Sequence, residues 1–117
     1  MKTIKNAPPE CTSNLLAMRD TLEILGGKWK LLILHYLMTR EGMSNTFKEM
    51  QRNIEGISSK MLSKELKDLE INKLINRREM NTKPKTVEYN ITSHGKTTKN
   101  IISNLVEWGL KHRIELI

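Results

Sequence analysis

The chain has 117 residues, which is enough for one domain with a modest hydrophobic core. Apolar residues make up 38% and charged residues 28%, which is typical of a globular domain. A single cysteine, Cys11, excludes an intramolecular disulfide, and the longest apolar run, residues 31–34, is far too short to cross a bilayer. The first ten residues lack the apolar core of a signal peptide. We therefore expect a cytoplasmic protein that does not associate with membranes.

The net charge of +7 is concentrated in one part of the chain. Residues 1–57 carry 8 basic and 6 acidic side chains, whereas residues 58–100 carry 10 and 5, and residues 101–117 carry 2 and 2. Such clustering is typical of a surface that meets an anionic partner, nucleic acid above all. The neutral, apolar C-terminal segment suits a protein partner better.

In chain order, residues 1–12 are predicted to form a flexible N-terminal arm and residues 13–117 a single domain. Ser13 or Asn14 caps a first helix that runs to about Leu25. The apolar side chains of this helix follow a heptad-like spacing, which is typical of a helix that packs along another helix.

The next segments predict two further helices joined by turns. Gly26-Gly27 ends the first helix, and a second helix over residues 28–39 is so rich in Leu and Ile that it should be the most buried. Asn45 or Thr46 caps a short third helix over residues 47–52.

The second half of the domain predicts a helix, a hairpin and a final helix. The fourth helix begins at its cap, Ser58, and covers about residues 58–73. A hairpin over about residues 75–91 follows, with a loose tip at residues 81–85. A single long helix over about residues 93–114 ends the chain.

Helical spacing divides the fourth helix into two faces. The apolar arc holds Met61, Leu62, Leu66 and Leu69, and the opposite arc holds Ser59, Lys60, Ser63, Lys64 and Lys67. Lysines interleaved with small hydroxyls suit a helix that enters a major groove, because they reach phosphates and base edges without blocking approach. An ordinary solvated helix face shows the same pattern, so this helix alone leaves both interpretations open.

The neighbouring segments favour DNA binding. A short helix, a Glu55-Gly56 turn and then this helix match helix-turn-helix spacing. Arg77 and Arg78 lie at the hairpin base, and the tip lysines, Lys83 and Lys85, suit a minor groove or its flanking phosphates. The set predicted to contact DNA is Ser58, Ser59, Lys60, Ser63, Lys64, Lys67, Lys28, Arg78, Lys83 and Lys85.

The two terminal helices carry more apolar side chains than one small core requires, which favours a homodimer over a monomer whose core they merely close. The predicted interface consists of Leu15, Met18, Leu22, Ile101, Ile102, Leu105, Val106 and Trp108.

No catalytic or metal-binding constellation stands out. His35, His94 and His112 lack ligand spacing, and we expect His35 to pack between helices. We predict neither an enzyme nor a bound cofactor or metal.

Three motifs resemble those of the HxlR-type winged helix-turn-helix regulators, which are related to the MarR group. They are residues 26–34 (GGKWKLLIL), 56–70 (GISSKMLSKELKDLE) and 84–92 (PKTVEYNIT), in that order. The resemblance implies a mainly α fold with a small β-hairpin, a bacterial or archaeal transcription factor, and dimerisation through the first and last helices.

Some members of that family sense electrophiles or oxidants through a cysteine near the start of the first helix. Cys11 is the candidate here, although alignment on Gly26-Gly27 puts Leu16 at the family's position. An ordinary free thiol is the alternative, and an unidentified small-molecule or redox effector stays open.

Together these features predict a homodimeric, sequence-specific regulator that binds double-stranded DNA. A protein-interaction module that presents the same basic face to an acidic partner, without specific DNA binding, is the alternative.

Overall fold

The computed structural model describes the backbone of residues 9–117 and the side chains from residue 12 onward. Its elements are α1 Pro9–Leu25, α2 Lys30–Thr39, α3 Phe47–Asn53, α4 Ser59–Ile71, β1 Ile75–Met80, β2 Thr86–Ile91, α5 Ser93–Lys96 and α6 Lys99–Glu115. The strands form one antiparallel pair in which Ile75 lies opposite Ile91. The predicted fold class, mainly helical with one hairpin, is confirmed.

The core lies between α2, α4 and the base of the hairpin. Ile33, Leu34 and Leu37 of α2 are fully buried, as the Leu/Ile density of this helix predicts. Leu62, Leu66 and Leu69 of α4, together with Met50 and Ile75, belong to the same cluster. Each such side chain contributes about 1.5–3 kcal/mol through removal of apolar surface from water, so this cluster holds α4 in place.

Hydroxyl caps begin both helices of the α3–turn–α4 unit. The Glu49 amide donates to Oγ1 of Thr46 over 3.3 Å, and the Met61 amide donates to Oγ of Ser58 over 3.1 Å. Each bond satisfies one of the amides that a helix N-terminus leaves without a partner. Both predicted caps are confirmed.

Helix α4 ends at Ile71, two residues before the predicted end, in a Schellman motif. The Lys73 amide donates to the Glu70 carbonyl over 2.9 Å, and the Leu74 amide donates to the Leu69 carbonyl over 3.0 Å. Lys73 takes the left-handed conformation that this motif requires, with φ of 62°. The turn directs the chain straight into β1.

The first helix begins earlier than predicted. It starts at Pro9 rather than at a cap on Ser13 or Asn14, so residues 9–12 are helical and not part of an arm. Proline favours the first helical position because its fixed φ fits the helix and its missing N–H has no partner there anyway. The remainder of the predicted arm, residues 1–8, lies outside the described residues.

The final helix is interrupted, where the sequence predicts one continuous helix over residues 93–114. The Thr97 hydroxyl donates to the His94 carbonyl, and the buried Thr98 hydroxyl donates to the Gly95 carbonyl over 2.7 Å. These hydroxyls bond to the carbonyls of His94 and Gly95, to which backbone amides of the next turn would donate if the helix continued. A β-carbon on Gly95 would lie 2.1 Å from the Leu74 carbonyl oxygen, so only glycine lets α5 pack this closely against the hairpin base.

Candidate nucleic-acid interface

The polar face of α4 points to solvent along its whole length. All five side chains predicted on this face are exposed, namely Ser59, Lys60, Ser63, Lys64 and Lys67. Of the four predicted on the apolar arc, Leu62, Leu66 and Leu69 are buried, whereas Met61 lies at the border with 36% of its surface exposed. The helix therefore presents lysines and hydroxyls outward on a rigidly packed base.

The Trp29 indole lies beside the turn before α4. Gly56 in this turn has φ of 87°, and a β-carbon there would lie 3.7 Å from Cη2 of Trp29. The ammonium group of Lys28 lies 4.6 Å from the centroid of the Trp29 ring. The indole is therefore close both to Lys28 and to the turn that leads into the α4 cap, Ser58.

A buried ion pair joins α4 to α2, and the sequence analysis missed it. Nζ of Lys30 lies 3.0 Å from Oε2 of Glu65 and 3.6 Å from Oδ2 of Asp68, and the Lys30 and Glu65 side chains are only 11% and 7% exposed. The outward Lys64 contacts the same two carboxylates at 3.3 and 3.8 Å. Helical spacing puts Glu65 beside Leu62 and Leu69, which was the available signal of its burial.

The hairpin stands beside α4 and is anchored to the start of α3. The Tyr89 amide of β2 donates to the Asn45 carbonyl over 2.8 Å, and Thr46 forms a bridge with Glu88. At the tip, the Thr82 hydroxyl donates to the Pro84 carbonyl over 2.9 Å. Lys83 and Lys85 are exposed at this tip, as predicted, and Arg78 is exposed on β1.

The terminal helices leave most of the predicted dimer residues uncovered. Met18, Leu22, Leu105, Val106 and Trp108 are between 52% and 66% exposed. Ile101 is 39% exposed and Leu15 is half-buried, and the exposed Leu110 and Ile114 extend the apolar surface of α6 beyond the prediction.

Ile102 differs from the rest of that set. It is 7% exposed and belongs to the core cluster of the protomer itself, where α6 packs on α2. The excess of apolar side chains in the sequence of α6 does not distinguish the side that faces its own domain from the side that faces outward. The structure therefore assigns Ile102 to the core.

The expectation for His35 is wrong. Its side chain is exposed and lines a groove of about 650 Å³ between α2 and α6, together with Met38, Val106 and Leu110. From residue 12 onward, no group of three or more His, Cys, Asp or Glu side chains could hold a metal ion. The candidate sensor, Cys11, has its backbone in α1, and its side chain lies outside the described part of the chain.

Over residues 9–117, none of the helices is long and apolar enough to cross a membrane.

Comparison with known proteins identifies the relatives of this chain. The profile of the HxlR-like helix-turn-helix family matches residues 24–115. An HTH-type transcriptional regulator of Halalkalibacterium halodurans is 41% identical over 93 residues, which are 80% of each chain. The HTH-type transcriptional regulator YtcD of Bacillus subtilis is 37% identical over 97 residues, which are 83% of this chain and 75% of that protein.

Solved structures show the same fold. The crystal structure of the regulator YtcD superimposes with a TM-score of 0.75 at 36% identity, covering 81% of this chain and 94% of that one. The reduced form of the redox regulator HypR superimposes with a TM-score of 0.76 at 30% identity, covering 86% and 96%. MarR-family regulators are also among the structural neighbours.

Proposed function

Because the chain belongs to the HxlR-like helix-turn-helix family of transcriptional regulators, we propose that it binds specific double-stranded DNA as a homodimer. In this proposal α4 enters the major groove and the hairpin meets the adjacent minor groove. The main support for this proposal is the exposed face of α4. This face consists of lysines and serines, and the helix that bears them is packed within an α3–turn–α4 unit.

The major-groove contacts are proposed from side-chain chemistry. Lys60 and Lys64 reach guanine O6 and N7 or nearby phosphates, while Ser59 and Ser63 accept or donate bonds at base edges. Lys67 lies one turn further along the helix. Lys64 is 65% exposed and exchanges its two carboxylate contacts for DNA, because Lys30 remains the buried partner of Glu65 and the exposed pair with Asp68 contributes little.

Phosphate contacts are proposed at the turn before α4. The α4 N-terminus presents amides and the positive end of the helix dipole, and its cap Ser58 and neighbouring Lys28 add a hydroxyl and a cation. Phosphate contacts fix the register of the protein on the duplex without reading its sequence.

The hairpin contributes a second set of cations. Lys83 and Lys85 at the exposed tip suit the minor groove and its flanking phosphates. Arg78, on β1, is proposed to contact the backbone from the side of the hairpin.

The homodimer is proposed from the uncovered apolar side chains of α1 and α6. Such a surface in a chain of this size indicates a partner, and a second copy supplies the same surface in return. A symmetric pair would place two α4 helices on half-sites about 34 Å apart, one turn of DNA.

A redox effector is a narrower proposal. The relative HypR is described in reduced and oxidised forms as a redox regulator. A sensing role for Cys11, or a small-molecule effector, stays a prediction for this chain.

Fluorescence anisotropy tests the proposal directly. Labelled duplexes from the DNA flanking the protein's own gene are titrated beside scrambled duplexes over a series of salt concentrations. We expect tight binding to a flanking duplex, at least 10³-fold above the scrambled one on the scale typical of specific regulators, falling steeply with salt. Equal and weak binding to both duplexes would contradict the proposal and favour the protein-interaction module for an acidic partner.

A further inference from the structure

A polar cleft separates α4 from the hairpin. It has a volume of about 340 Å³ and is lined by Ser63, Lys67, Glu70, Arg77 and Tyr89. The three α4 residues follow one another at successive turns of the helix. Arg77 and Tyr89 lie directly opposite each other in the hairpin register, so a single rung of the hairpin forms the other wall.

Strand alternation selects Arg77, and not its neighbour Arg78, for this cleft. Successive side chains of a strand point to opposite faces, and the face that carries Arg77 is the one turned toward α4. The sequence analysis placed both arginines at the hairpin base without distinguishing their faces. Only the packing of the hairpin against α4 makes that distinction.

Arg77 and Tyr89 lie opposite each other in this rung, and both side chains line the same wall of the cleft. The neighbouring Tyr89 side chain raises the pKa of Arg77 above its ordinary value, so the guanidinium stays charged. The Tyr89 phenol can both donate and accept a hydrogen bond. The rung therefore offers a cation and a hydroxyl donor side by side.

Two carboxylates lie near the cleft, those of Glu79 and Glu70, and their positions limit their repulsion of an anion bound there. Nη1 of Arg77 lies 3.5 Å from Oε1 of Glu79, but both side chains are well exposed, and such pairs exchange readily. Glu70 lies on α4 one turn beyond Lys67, toward the C-terminal end of the helix. Since a recognition helix contacts DNA mainly through its N-terminal part, the Ser63–Lys67 end of the cleft faces the duplex and the Glu70 end lies away from it.

The geometry of B-DNA indicates which part of the duplex would occupy this cleft. When a helix lies in the major groove and a hairpin in the adjacent minor groove, the sugar–phosphate strand that divides the two grooves passes between them. In this protein the space between those elements is the polar cleft. We propose that the cleft seats a backbone phosphodiester of duplex DNA, held by Arg77, the Tyr89 hydroxyl and Lys67. This inference rests on the proposed function and adds a contact that the sequence did not assign.

A phosphate contact has a thermodynamic signature that a base contact lacks. Loss of one neutralised phosphate lowers the slope of log K against log salt by about 0.9 and weakens all sequences alike. We expect Arg77→Ala to lose affinity on the order of tenfold for both the flanking and the scrambled duplex. Arg77→Lys should lose less affinity than Arg77→Ala, because lysine keeps the positive charge. Some loss should remain, because lysine cannot form the two parallel hydrogen bonds of a guanidinium.

The matched control is Arg113→Ala, which removes the same charge from the last turn of α6. It should leave both affinity and salt slope at the wild-type values. Tyr89→Phe should give a partial loss, since it keeps the packed ring and removes only the hydroxyl.

A neutral-backbone scan of the DNA locates the contact. Methylphosphonate replaces the phosphates of the flanking duplex one at a time, and wild-type protein should lose affinity at the one or two positions between the grooves. Arg77→Ala should be insensitive at those same positions, because its partner is already absent.

Three outcomes would separate the inference from the proposed function. Wild-type affinity and salt slope in Arg77→Ala would overturn the inference alone. Loss confined to the flanking duplex would also overturn it, because Arg77 would then read bases. Failure of the wild-type protein to prefer the flanking duplex would instead overturn the proposed function.

Discussion

Helices α4 and α6 are both amphipathic, yet only α4 has its apolar face covered within one protomer. Leu62, Leu66 and Leu69 of α4 are no more than 2% exposed, whereas Leu105 and Trp108 of α6 are 52% and 66% exposed. On α4 the exposed face is the charged one, and on α6 a large part of the exposed face is apolar. The apolar face of α4 is thus covered within a single chain, whereas α6 leaves a large apolar surface exposed.

The difference predicts which property a substitution in each region should change. A change behind α4 should act through folding, because Leu62, Leu66 and Leu69 are already buried there. A change on the outer side of α6 should act through assembly, because covering each leucine is worth about 1.5–3 kcal/mol that one chain alone does not gain. The following predictions use this contrast, in order of decreasing effect.

The largest effect is expected behind α4, at Lys30. Lys30→Met removes the buried partner of the Glu65 carboxylate and leaves it only the exposed Lys64, so the free energy of unfolding should fall by about 3 kcal/mol, the lower end of the range for a broken buried pair. Urea unfolding followed by circular dichroism, at matched protein concentration, measures this loss. The control is Lys30→Met with Glu65→Leu, which should recover most of the stability because no charge stays buried. Wild-type stability in the single variant would show that the ion pair does not hold α4.

The next effect concerns the outer face of α6. Leu105→Asp puts a charge into the surface proposed to meet a second copy, and self-association should weaken by at least about 2 kcal/mol, roughly thirtyfold. Sedimentation equilibrium measures the dissociation constant. Asn104→Asp adds the same charge to an exposed neighbour on the polar side of the helix and should associate normally. An unchanged dissociation constant in Leu105→Asp would remove α6 from the interface.

Removing the lysines of the reading face should affect DNA binding and leave folding unchanged. Lys60→Ala with Lys64→Ala should weaken binding to the flanking duplex by about 1–2 kcal/mol in total, with little change in the midpoint of unfolding. Removal of Lys99 and Lys111 from α6 subtracts the same charge and is the control. Full affinity in the Lys60/Lys64 variant would exclude α4 as the reading helix.

The smallest effect is expected at the cap of α4. Ser58→Ala removes the acceptor of the 3.1 Å bond from the Met61 amide and should cost about 1 kcal/mol of stability. Ser58→Asp keeps an acceptor at this position and should retain stability. Equal melting temperatures for wild type and Ser58→Ala would mean that water satisfies the amide equally well.

The features that the sequence predicts correctly are those with a local cause. The caps at Thr46 and Ser58 depend on residues within three positions, and the outward face of α4 follows from helical spacing within one segment. The resemblance to a known family added the expectations of a transcription factor and of dimerisation through the first and last helices.

The features that the sequence does not predict depend on contacts between segments that lie far apart in the chain. Lys30 and Glu65 belong to different helices, and the sequence of neither helix indicates which residue of the other helix it will pair with. The core position of Ile102, and the exposure of His35, depend on which side of α6 packs on α2. Strand alternation separates Arg77 from Arg78, but only the packed hairpin shows which arginine faces α4.

The contrast between the two helices is tested most directly by counting the protein chains on one duplex. Sedimentation velocity of a labelled flanking duplex with increasing protein gives the mass of the complex, and each chain adds 13.6 kDa. We predict that two chains bind together, and that Leu105→Asp binds as one chain with lower affinity while it stays folded. One wild-type chain per duplex at saturation, with the full preference for the flanking sequence, would contradict the account.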